Sequence, residues 1–87
     1  MRKEYEKVLK EFFHKKVFRR RDELAISQEE MAYRLAMSGR SYVDLEHGKS
    51  CCGALTLALF LIYVCADPIH FLEGLKNVFE TIDKKAA

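Results

Sequence analysis

Residues Ser27 to Lys49 read SQEEMAYRLAMSGRSYVDLEHGK, and two short amphipathic helices are written into them. Ser27 stands three positions before Glu30, a capping hydroxyl followed by an acid at a helix start. Met31, Ala32 and Leu35 then fall on one helical face. A turn around Ala36, Met37 and Ser38 leads to a second helix, from about Gly39 to Glu46, with Tyr42 and Leu45 inward, and Gly48 ends it. The connection is too short for antiparallel packing. The pair is therefore expected to cross at a large angle, as a helix-turn-helix, with Met37 also turned inward and the small Ala32 at the close approach.

Upstream, Tyr5, Val8, Leu9, Phe12, Phe13, Val17 and Leu24 recur at three- and four-residue steps, which predicts one amphipathic helix over Arg2 to Leu24. Downstream, the apolar run Ala54 to Ala66, interrupted only by Thr56, predicts a buried helix from about Gly53. Asp67 and Pro68 then form a cap and first-position pair for a fifth helix carrying Ile69, Phe71, Leu72, Leu75, Val78, Phe79 and Ile82. No linker, repeat or low-complexity segment divides the chain. The expected architecture is all-α, a single five-helix domain over 1–87, with the helix-turn-helix at about 27–47.

With 87 residues, 49% apolar and 32% charged, one Pro and four Gly, the composition is that of a folded helical domain. The N-terminus is charged and lacks the apolar stretch of a secretory signal. The apolar run is shorter than the roughly 20 residues of a membrane helix. Cys51, Cys52 and Cys65 contain no C-x-x-C pair and read as reduced thiols, so a cytoplasmic, non-membrane protein is expected. Charge is uneven. Met1 to Arg21 holds nine Lys or Arg against three Glu, a balance of +6. Asp22 to Gly48 holds two Arg against six acids, a balance of −4. The basic first segment suits phosphate, whereas the helix-turn-helix itself is acidic.

The pattern from about Val17 to Leu72, most specifically Ser27 through Leu45-Glu46-His47-Gly48-Lys49, resembles the Cro and lambda/434 repressor family of helix-turn-helix regulators, also called the XRE family. The resemblance implies a lambda-repressor-like DNA-binding domain, with the recognition helix at about 38–46 lying in a major groove. It puts Gln28 on a phosphate at the start of the first of the two helices. Ser38, Gly39, Arg40, Ser41 and Asp44 are implied to face bases and flanking phosphates, and Lys49 and Ser50 to meet backbone phosphate. Arg40 is the candidate for direct reading, since a guanidinium can pair with both acceptors of guanine. Arg21 and Glu46 are implied to form a structural ion pair.

Three positions depart from the family pattern. Ala36 takes a turn position usually held by glycine, at a cost of about 1 kcal/mol or with a different turn. Gly39 supplies no side chain for a base. Asp44 must accept from a cytosine amino group or brace Arg40. In addition, about residues 2–16 extend the first helix beyond the resemblance, and Leu55, Leu59 and Ile62 make the fourth helix apolar nearly all round. Such a helix must be wrapped by the first and fifth helices or by a second subunit, which makes these three residues candidates for a dimer interface.

The expected function is sequence-specific DNA binding by a homodimeric transcriptional regulator, expected to be a repressor, on a palindromic operator-like duplex. The alternative is a protein-interaction module on the same scaffold with weak or no specific DNA binding, favoured by the acidic head and the apolar fourth helix. His14, His47 and His70 follow no metal-ligand spacing, and Ser41, Asp44 and His47 lack an oxyanion loop. No catalysis, metal, cofactor or small-molecule ligand is expected.

Overall fold

The computed structural model describes residues 1–86, with side chains through Lys84. These residues are all-helical. In chain order they form α1 (Arg2–Leu24), α2 (Gln28–Arg34), α3 (Gly39–Glu46), α4 (Ala54–Leu59) with a π-helical turn at Phe60–Val64, and α5 (Pro68–Ala86). Among them no helix is long and apolar enough to cross a membrane. The longest dimension is 42 Å.

Helix starts follow local chemistry. Ser27 Oγ accepts from Glu30 N at 3.1 Å, Ser38 Oγ from Ser41 N at 3.1 Å, and Asp67 Oδ1 from His70 N at 3.1 Å. Each satisfies one backbone donor that a helix start leaves unpaired. The Glu30 carboxylate takes Arg34 Nε at 3.1 Å, so the cap at Ser27 rests on its hydroxyl.

Three helix ends close in the same way. Ala25 N donates to Asp22 O and Ile26 N to Arg21 O; Ala36 N to Tyr33 O and Met37 N to Ala32 O; Gly48 N to Leu45 O and Lys49 N to Asp44 O. This is the paired bonding of a Schellman motif, which needs a left-handed residue. Gly48 supplies it at φ 74, but Ala25 and Ala36 supply it at φ 54 and 53. Ala36 thus takes the left-handed turn rather than a different one.

Helix α1 packs on α3 and α5, and α2 packs on α3. Phe13 of α1 joins Phe60 at 5.1 Å and Phe71 at 6.1 Å between ring centres, both edge-on. Val17, Met31, Ala32, Leu35, Tyr42, Leu45 and Val64 complete the buried core, with Met37 half-buried against it. At the far end Tyr5 packs edge-on against Phe79 at 5.0 Å and donates to Asp83 Oδ1, tying the start of α1 to the end of α5.

The fourth helix is not α-helical to Ala66. Cys65 N donates to Phe60 O at 2.7 Å, one residue beyond the α-helical partner, and the chain leaves the helix at Cys65. Phe60 and Val64 both enter the core through this wide turn, and Arg20 Nε covers the Val64 carbonyl at 2.7 Å. Leu57, Leu59 and Leu61 pack around the core. Leu55, Ile62 and Tyr63 remain 66%, 69% and 74% exposed, so the chain's own helices cover only part of this segment. In α5, Ile69 and Leu72, two of the apolar residues the sequence places on this helix, are exposed. The stripe through Phe71, Leu75 and Ile82 faces the core, and those two fall outside it.

Candidate functional site

Helices α2 and α3 pack on each other, and α3 also rests on α1. A buried carboxylate locks the three together. Glu46, whose side chain is 1% exposed, accepts from Arg21 Nε at 2.6 Å, Gln28 Nε2 at 2.5 Å and Tyr42 Oη at 3.1 Å. Arg21 also donates from Nη1 to Ile26 O at 3.0 Å. Burial pushes the Glu46 carboxyl up, but the bonds from Arg21 and Gln28, the Arg21 charge and the Tyr42 hydroxyl outweigh it and hold it below its ordinary value. Burial first, then the adjacent carboxylate, raises Tyr42 far above the usual phenol value. The bond to Glu46 also raises Arg21. The network stays ionised and fixes where α3 points.

The implied site residues divide into three sets. Ser38, Gly39, Arg40 and Ser41 sit together, exposed, on the first turn of α3. The Ser38 hydroxyl donates to Ser41 Oγ at 2.9 Å while capping the helix, so both hydroxyls serve α3 itself. A Cβ at Gly39 would meet nothing within 4 Å. Internal packing therefore does not require the glycine, which leaves the backbone open to a close approach from outside. Arg40 has no ion pair among the described residues, and Asp44, four residues on, does not brace it.

Gln28 stands apart from that turn. Its amide nitrogen is turned to Glu46, which leaves its carbonyl oxygen and a second N–H. Lys49 and Ser50 are exposed just beyond the closure of α3.

The segment 47–51 lies against the first half of α1. His14 Nδ1 donates to Glu46 O at 3.2 Å, and a Cβ at Gly48 would come 3.1 Å from the His14 ring. Cys51 Sγ donates to Glu6 O at 3.7 Å. An open groove of about 730 Å³ runs between the two elements, lined by lysines at 3, 7, 10, 15 and 49. The sequence pointed to phosphate contact in the basic run His14, Lys15, Lys16, Arg19, Arg20 and Arg21 but did not single out Lys3, Lys7 and Lys10, although their four- and three-residue steps put those three on one helical face.

Cys52 is half-buried, and burial followed by the neighbouring Cys51 thiol pushes it up to about 12, so it stays a neutral thiol at pH 7. The three cysteines are free. Among the described residues, no three His, Cys, Asp or Glu side chains gather as a metal site would need. Comparison with family models, curated proteins and solved structures returned no match.

Proposed function

We propose that this chain is a cytoplasmic, sequence-specific DNA-binding regulator with a lambda-repressor-like helix-turn-helix, acting as a homodimer on a palindromic duplex. The observation that carries this reading is the first turn of α3, where Arg40 is exposed and unpaired beside a glycine with open space around it, on a helix held by the Glu46 network. Rigid support with a free guanidinium is what base reading requires, because a positioned fork distinguishes guanine by two acceptors.

In this reading α3 enters the major groove with Arg40 at base edges. Ser38, Ser41 and Asp44 flank it, and Lys49, Ser50 and Gln28 meet phosphates. The exposed Leu55 and Ile62, with Leu59 beneath them, support pairing of two copies through the fourth helix. Half-sites would then lie about one helical turn apart, roughly 34–36 Å.

The same exposed face, together with the −4 balance of Asp22 to Gly48, favours the second reading, a protein-interaction module without specific DNA affinity. Selection of bound duplex from a random pool at two salt concentrations separates them. Recovery of a defined site whose affinity falls steeply with salt supports the regulator. A pool that shows no enriched sequence sinks it.

A further inference from the structure

We propose that the groove between the first half of α1 and the 47–51 segment is a second contact with the DNA backbone, by which the N-terminal extension grips phosphates flanking the site. This rests on the DNA-binding reading above and adds a partner surface to it.

The groove carries five lysines against two glutamates, Glu6 and Glu11. None of the five lysines forms an ion pair among the described residues, so their charge is available to an external anion. The helix-turn-helix has the opposite need. Its balance of −4 repels a polyanion, and attraction must come from elsewhere on the chain. Lys49 joins the two surfaces, since it follows α3 directly and also lines the groove.

The dimensions favour duplex over a small anion. Lys3 to Lys15 span about 18 Å of helix axis, a length of duplex that carries about five phosphates on one strand. An open row of separated ammonium groups suits a repeating backbone, whereas a single phosphate needs converging donors. Contacts of this kind add affinity and register without sequence information.

The test uses the triple variant Lys3→Gln/Lys7→Gln/Lys10→Gln and two duplexes. One is the selected site alone, and the other carries about one extra helical turn on each side. On the longer duplex the salt slope should become shallower by about 2.7, so the affinity lost between 50 and 200 mM salt shrinks roughly 40-fold. Base preferences should be unchanged, and chain and variant should bind the short duplex equally. Replacement of the same three lysines by arginine should restore the slope, which excludes a folding defect.

Equal slopes on the longer duplex, with base preferences still sensitive to Arg40→Ala, would overturn the groove contact and leave the regulator reading standing. If the unaltered chain binds no duplex, or is retained only by vesicles containing an anionic lipid, both readings fall.

Discussion

Arg21 Nε stands 2.6 Å from Glu46 Oε1, joining residues 25 apart in sequence and holding the end of α1 to the end of α3. Removing one partner leaves the other charge buried and uncompensated, whereas replacing both by apolar groups need not be costly. Arg21→Met should therefore destabilise the fold by about 3 kcal/mol, and Arg21→Met/Glu46→Leu should regain much of that loss. Urea midpoints for the two variants check it. A double variant worse than the single one would show that the bonds from Gln28 and Tyr42 matter more than the ion pair.

Acid should act through the same carboxylate. The Glu46 pKa is lowered by folding from an ordinary 4.5, so the unfolded chain binds the proton more tightly than the folded one. The resulting stability is fully present above about pH 4.5 and is lost as pH falls through the lowered folded value. Glu46→Gln should lose stability at neutral pH and show a flatter decline below pH 4.5. Urea midpoints across that range give the comparison.

Ala25 and Ala36 close helices at φ 54 and 53, where a Cβ is strained. Ala36→Gly should raise stability by about 1 kcal/mol, with a similar gain for Ala25→Gly, each offset in part by the freer unfolded chain. Thermal or urea unfolding measures both. A loss in both variants would contradict the left-handed closures.

Ser38 and Arg40 are two residues apart but should fail in different assays. Ser38→Ala removes the α3 cap and should cost about 1 kcal/mol of stability. Arg40→Ala should leave stability nearly unchanged and reduce discrimination at one base pair by roughly 1 to 3 kcal/mol. Unfolding curves and binding to single-substitution duplexes separate the two effects. An unchanged base profile for Arg40→Ala would remove Arg40 from the recognition role.

Leu55 and Ile62 are about two-thirds exposed on the fourth helix. If they join two copies, Leu55→Glu/Ile62→Glu should convert a dimer to a monomer in light scattering while helical content stays constant. A chain that is monomeric before the substitutions would sink the pairing.

Much of the architecture was legible because its signals are short-range. Ser27, Ser38 and Asp67 each cap a donor three residues away, and Gly48 supplies the left-handed turn that ends α3. The alternation of apolar residues marked Phe13, Val17, Met31, Leu35, Tyr42 and Leu45 as core. The π-helical turn was not legible, since the run around Phe60–Val64 is apolar on every side and its period carries no phase. The exposure of Ile69 and Leu72 was hidden for a related reason. An apolar residue beside the buried stripe of α5 looks the same in sequence as one within it.

The sequence alone determined the helices, their starts and most of their buried faces, because caps and periodic stripes form among residues a few positions apart. Tertiary structure decided which distant groups meet. It turned the Gln28 amide to Glu46, seated His14 against Gly48, faced the α1 lysines toward Lys49 and left Leu55 and Ile62 uncovered. Each of these depends on the angle at which one helix docks on another. That angle follows from side-chain shapes across the whole core, and no local pattern contains it.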